Sequence, residues 1–230
     1  MKIANSVKQR AIAPHYAASM KTNAARAPIA KLDLYQANKA EYATPRKPVL
    51  LRIAKANYLG IAGRGKPGGE AFEQAIGALM SVAFTIKMAS KFAGRDYRVC
   101  KLEGLWWVDS GGSFQTEPKD RWSWRLLLRT PDFIGKREIE AARKQLAEKG
   151  KDPLFKDVEW LTLDEGQCVQ VLHAGPYDRE PETIAQMEAF AAAEGYRFDG
   201  LHHEIYLSDP RRVAPEKLRT ILRIPVRQAN

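Results

Sequence analysis

Apolar positions along the chain run through one pattern twice. In residues 49–65, Val49, Leu51 and Ile53 alternate with other side chains, and a second apolar stretch follows from Tyr58 after a short break. Alternation of this kind predicts strand, break, strand. Over residues 69–92 the period changes. Phe72, Ile76, Leu79, Ala83 and Ile86 step by four and three, so they share one face of a helix, with Gly94 as its C-terminal stop. Two strands are predicted next, at 97–108 and 122–130, joined by a polar loop holding Gly111 and Gly112. A helix over 135–149 buries Ile139, Ala142 and Leu146 on one side and ends at Gly150.

The second half replays the first. Residues 158–175 read as strand, a break at Asp164, Glu165 and Gly166, and strand. A helix opens with Pro181, favourable in a first turn, and stops at Gly195. Strands are predicted at 201–207 and 218–226. Placing Gly65 on Gly175 also places Glu70 on Glu180 and Ile53 on Leu163, while Asp109 falls on Asp209 and Pro131 on Pro225 at smaller offsets. The fold class expected is α+β: duplicated strand–helix–strand–strand modules over about 48–131 and 157–227, joined by the helix at 135–150. Each module leaves one sheet face to be covered, and pairing them side by side gives pseudo-twofold symmetry and a central ligand cleft.

Composition narrows the class. The chain has 230 residues, 45% hydrophobic and 28% charged, enough for a real core and unlike a disordered or fibrous chain. No unbroken apolar run approaches the roughly 18 residues of a membrane helix, so no membrane partner is expected. The net charge of +10 would suggest nucleic acid, but Lys2, Lys8, Arg10, Lys21, Arg26 and Lys31 stand in a first stretch with no acid, leaving about +4 for the rest. Nucleic acid is not the expected partner. The basic stretch, residues 1–30, reads as a solvated tail, as an over-extended start with Met20 an alternative beginning, or as a transit peptide without a sustained amphipathic pattern. The folded domain is expected over 31–230.

Several formal motifs fail on their context. Gly63, Gly65 and Gly68 spell GxGxxG between a strand and a helix, yet the acid of a dinucleotide site is missing about twenty residues on, and Pro67 removes an amide donor. His202, His203 and Glu204 hint at a metal, but alternation sends His203 to the other face and no third ligand is near in sequence. Neither Cys100 nor Cys168 sits at a helix start, no CxxC pair exists and no GxSxG occurs. No metal and no cofactor are expected, and two unpaired cysteines suit a cytoplasmic protein.

The aromatic residues are more informative. Trp106, Trp107, Trp122 and Trp124 are four of the five tryptophans and lie on two adjacent predicted strands. Trp106 and Trp107 must face opposite sides of their strand; core packing accounts for one side, and a groove could claim the other. At an offset of 100, Trp106 falls on Tyr206 and Gly104 on Glu204, and His202, Glu204 and Tyr206 share a face. A carboxylate, a phenol and an indole would meet at the junction of the halves, with Gly104 leaving room opposite the acid. Desolvation there raises a carboxyl pKa, which suits it to a cationic ligand or to general acid–base work. The alternative is a surface acid on an edge strand.

These residues also carry a family resemblance. The run from Val171 to Asp178 with His173, Gly175, Pro176 and Tyr177, then a helix, then His202 to Pro210, and a last strand with Arg223, Pro225 and Val226 resembles the GyrI-like small-molecule-binding domain. The first half, with Leu102 to Trp107, is similar to the stand-alone subfamily. The resemblance spans roughly residues 30–228. It implies two pseudo-symmetric modules around a cleft that takes bulky, flat, often cationic compounds on a strand glutamate, here Glu204. It further implies that some stand-alone members hydrolyse cyclopropane-bearing toxins, and that others inhibit DNA gyrase. On that basis Glu204 and Tyr206 are the catalytic candidates, and Trp106, Trp107, Tyr177 and His202 the ligand-binding ones. The expected partner is a small aromatic molecule. A non-catalytic sensor or carrier and a gyrase modulator are the alternatives.

Overall fold

The computed structural model describes residues 30–111 and 116–229; the expectations for the basic tail lie outside them. Four helices and nine strands follow in order: α1 (Leu34–Ala37), β1 (Val49–Ile53), β2 (Ala56–Arg64), α2 (Glu70–Phe92), β3 (Glu103–Trp107), β4 (Ser123–Arg129), α3 (Lys136–Glu148), β5 (Glu159–Leu163), β6 (Gly166–Ala174), α4 (Glu180–Ala193), β7 (Tyr196–Phe198), β8 (His202–Tyr206) and β9 (Arg219–Gln228). The fold is α+β, as expected. β1 and β5, like β2 and β6, match in bounds at an offset of 110, and α2 and α4 begin at the same offset. Two elements differ from expectation. The strand predicted from residue 97 begins only at Glu103, because Tyr97 makes a single bridge to Leu32. The short strand β7, paired with β9, was hidden by its length.

All strands but β7 form one antiparallel run in the order β1-β6-β9-β8-β3-β4-β2-β5. The order is palindromic about the β8–β3 pair, where Gly104 stands opposite Glu204. Each edge strand belongs by sequence to the opposite half: β1 pairs with β6, and β5 with β2. Two residues separate β1 from β2 and two separate β5 from β6, a reach of roughly 10 Å. The two ends of the sheet therefore come together and the sheet curls into a half-barrel. The two halves share one sheet, each edge strand pairing into the other half, rather than standing side by side as separate sheets.

The outer face of the curl carries the helices. Phe72, Leu79, Val82, Ala83 and Ile86 of α2 pack on Leu59, Ile61, Trp106, Trp124, Leu126 and Leu128, with α3 alongside. Ile184, Met187 and Ala191 of α4 pack on Val169, Val171, Leu222 and Ile224. By length and composition α2 could cross a membrane, because small and uncharged polar residues dilute its apolar positions without adding charge. Its packed face makes it a core helix here.

The inner face is polar at its centre. His203 lies between Glu103 (3.0 Å) and Glu165 (2.9 Å), and Arg223 meets Glu165 at 2.9 Å. Residues 41–43 cross this face as a strap. Arg223 donates to the Glu41 carbonyl, Gln170 donates to the carbonyls of Glu41 and Ala43, and the Tyr42 hydroxyl donates to Glu103. Burial alone would lower the His203 pKa, yet Glu165 and Glu103 raise it to about 9; burial alone would raise that of Glu165, yet His203 and Arg223 bring it down to about 2.

Candidate functional site

The outer face of the β3–β8 pair lies in the seam between the N-terminal ends of α2 and α4. β8 aims His202, Glu204 and Tyr206 into the seam, and β3 aims Trp106 there beside Gly104. Trp106 stacks on Phe72 (centroids 5.6 Å apart) and meets the edge of Trp122 at 5.7 Å. Its Nε1 donates to the Tyr206 hydroxyl at 3.2 Å, and Tyr206 meets Tyr177 edge-on at 6.3 Å. A Cβ at Gly104 would lie 2.9 Å from that hydroxyl and 3.1 Å from the Trp106 nitrogen, so glycine is what lets the two rings close over the strand.

The turn before α4 delivers two further groups. Gly175 ends β6 with φ of 135°, a conformation that favours glycine. His173 then holds the turn, with Nε2 3.1 Å from the Pro176 carbonyl and Nδ1 2.8 Å from the Thr183 hydroxyl. Tyr177 is thereby placed over Tyr206, and Glu180, first residue of α4, is turned inward onto Glu204.

Glu180, His202 and Glu204 are all buried, and one ligand atom from each lies within 4.8 Å of the other two. His202 Nε2 is 3.2 Å from Glu204 Oε1. Burial, and then the charge and hydrogen bond of Glu204, hold the Glu180 pKa well above the ordinary carboxylate value. Among the described residues no Lys or Arg forms an ion pair with either acid. Lys119, seated over the Trp122 ring at 5.6 Å, is the cation whose field reaches Glu180. Burial and Glu204 likewise push the Tyr206 phenol well above its ordinary value, and Tyr177 rises to about 12 through burial and the same two acids. Both phenols are neutral donors. The seam is thus an aromatic-walled site holding two buried carboxyl groups and an imidazole close together.

The structure brings together five of the six residues expected from the sequence: Glu204, Tyr206, Trp106, Tyr177 and His202. Trp107 is elsewhere. It points to the inner face, donates from Nε1 to Asp109 at 3.1 Å and packs with Leu161 and Leu163. Alternation correctly separates Trp106 from Trp107, but the seam and the helix-covered side prove to be the same face. Glu180 was missed. Its sequence signal was the match of Glu70 to Glu180 at the helix starts; Glu70 forms an exposed hydrogen bond to Gln74, and nothing local distinguishes the two. Glu180 also supplies the third metal-ligand type that His202 and Glu204 lacked in sequence. These three residues could hold a divalent cation. A cavity of about 700 Å³, lined by residues including Arg46, His173 and Arg219, lies outside the seam.

A two-layer α+β half-barrel with a buried carboxylate pair under aromatic rings defines a small-molecule-binding module. The chain belongs to the family of the GyrI-like small molecule binding domain, whose model matches residues 46–227. Among solved structures it is similar to an uncharacterized conserved protein from Listeria innocua (39% identity, TM-score 0.80), covering 86% of this chain and 100% of that one. It is similar also to a hydrolase from Listeria innocua (38% identity, TM-score 0.77) over the same shares. The EcmrR C-terminal domain shares the fold at 13% identity and a TM-score of 0.53, over 80% of this chain and 98% of that domain. A comparison with curated proteins gives no match.

Proposed function

We propose that the seam binds bulky, flat aromatic compounds, cationic ones included, and hydrolyses those that carry a strained electrophilic ring. The observation that carries this reading is the Glu180–Glu204 pair, two carboxyl groups buried in contact with no Arg or Lys salt bridge. Such a pair is costly in a resting protein and useful with a ligand. A flat cation over Tyr177, Tyr206 and Trp106 would supply the missing positive charge. For a neutral electrophile the pair divides the labour. Glu204, hydrogen-bonded by Tyr206, takes a proton from water as its oxygen bonds to a ring carbon. The ring C–C bond breaks, its electron pair passes into a conjugated carbonyl, and Glu180 protonates that oxygen. Transfer of the proton from Glu204 to Glu180 restores the start, with one water consumed. The kinship with the Listeria innocua hydrolase supports the hydrolytic half of the reading. Tyr177 and Tyr206 are part-exposed, so entry is expected on their side.

The test is a parallel measurement of dye binding and of turnover of a cyclopropane-bearing aromatic, followed by the mass gain of one water. Turnover by the native protein that is lost in Glu204→Gln and Glu180→Gln, with binding of the neutral compound retained, supports the proposal. Binding with no turnover leaves a carrier or sensor. No affinity for any flat aromatic compound overturns the site and turns attention to a protein-interaction role.

A further inference from the structure

The described residues expose five large apolar side chains, and three of them stand on one helix, α2. Phe84, Met88 and Phe92, at 52%, 40% and 80% exposure, stand four residues apart on the outer side of α2, away from its packed face. Spacing by four keeps them on one stripe, with Phe84 and Phe92 about 12 Å apart along the axis. Leu32, the fourth, pairs alongside Tyr97 just beyond the end of α2. A convex ridge with an 80%-exposed phenylalanine is not needed by the core and does not belong to the seam.

Basic groups outnumber acidic ones round this ridge, where Asp96 and Asp33 are each ion-paired. Lys31, Lys87 and Lys91 all act on the single carboxylate of Asp96, which Lys87 meets at 3.1 Å. Arg95 is exposed beside them and lies 4.8 Å over the Phe133 ring. Leu32 bonds to Asp96 and Arg98 beside this end of α2, and the acid-free stretch that carries Lys2, Lys8, Arg10, Lys21 and Arg26 precedes it in sequence. A second copy of the chain would bring two such basic clusters face to face. A negatively charged apolar-cored surface answers both features at once.

We propose that the C-terminal half of α2 is a peripheral docking ridge for anionic lipid bilayers, inserting Phe84, Met88 and Phe92 among the acyl chains while the exposed Lys31, Lys91 and Arg95 meet the headgroups. Apolar insertion and electrostatic attraction reinforce one another in such binding, and the second is screened by salt. The ridge would place the seam of the same molecule near a phase in which flat, apolar cations concentrate.

Flotation of the full chain with vesicles tests this. Binding is expected to vesicles of equal phosphatidylglycerol and phosphatidylcholine and to be at least tenfold weaker to phosphatidylcholine alone, and tenfold weaker again at 0.5 M salt. Phe84→Gln with Phe92→Gln should cut binding at least tenfold with an unchanged melting temperature, since both side chains are already largely in water. Deletion of residues 1–29 should weaken binding without abolishing it. Native-level binding by the double variant overturns the proposal, as does absence of binding by the native chain. A dimer in sedimentation that the double variant abolishes assigns the ridge to a copy-to-copy contact and likewise overturns it.

Discussion

The central strand pair β3–β8 buries ionisable groups on both of its faces, and the two faces solve the same problem in opposite ways. Inside the curl, Glu103 and Glu165 meet His203 and Arg223, so two negative charges face two positive ones and hydrogen bonds occupy the carboxylate oxygens. In the seam, Glu180 and Glu204 meet one imidazole and two neutral phenols, and a Glu180 oxygen has no hydrogen-bond partner. Neighbours in sequence, Glu103 beside Gly104 and His203 beside Glu204, thus serve different ends. A compensated network fixes the strap and the curl. On the function proposed above, the uncompensated pair is kept for a ligand or a reaction.

The sharpest way to break this contrast is in the seam. Glu204→Gln is expected to lower turnover of an electrophilic aromatic by about 10²–10⁴-fold, the usual worth of general acid–base assistance, while leaving the denaturant midpoint unchanged or raised. A matched fall in stability would make Glu204 a structural residue like Glu103. The next largest effect is expected inside. Arg223→Ala removes the guanidinium that joins Glu165, Gln170 and the Glu41 carbonyl, and should cost about 3–5 kcal/mol in urea denaturation because a buried charge loses its partner. A loss below 1 kcal/mol would erase the distinction between the faces.

Two smaller effects sharpen it. Gly104→Ala puts a methyl against the Tyr206 hydroxyl and the Trp106 indole. Overpacking should cost about 1–3 kcal/mol and should weaken dye binding through displacement of Tyr206; unaltered binding would remove Tyr206 from the ligand wall. The buried acids Glu165 and Glu180, one on each face, carry opposite signs of pH dependence. Glu165, held at about 2, contributes stability that is lost as pH falls from about 4.5 through 2. His203, raised to about 9, contributes stability present below pH 6.5 and lost as pH rises through 9. Glu180 is raised by burial and by Glu204, so its contribution to stability falls as pH rises above about 4.5. The stability gain of Glu180→Gln over the native protein should therefore grow with rising pH, measured by urea midpoints across the range; a pH-independent difference would refute the raised Glu180 pKa.

Local pattern determined much of this protein. Alternation and the change to a helical period located α2, α3, α4 and the main strands, because a strand or helix half in a core must show its period in its own residues. The same alternation put Glu204, His202 and Tyr206 on one face and split Trp106 from Trp107. The motif around His173, Gly175 and Tyr177 was legible as a turn with a family likeness. Tertiary structure decided the rest. The pairing of β1 and β5 into the opposite halves depends on which strand edges meet, and hydrogen bonds between backbones leave no mark on side-chain periodicity. The burial of Glu180 depends on α4 docking its first turn over β8, whereas Glu70 at the matching helix start of α2 faces solvent; one residue type in one local setting has two fates. Which face of β3 and β8 would hold compensated charge and which would not was likewise beyond the sequence, since Glu103, Glu165, His203 and Arg223 stand on four different segments and meet only when the sheet curls. Periodicity is a property of one segment, and charge compensation is a property of the enclosed space between several.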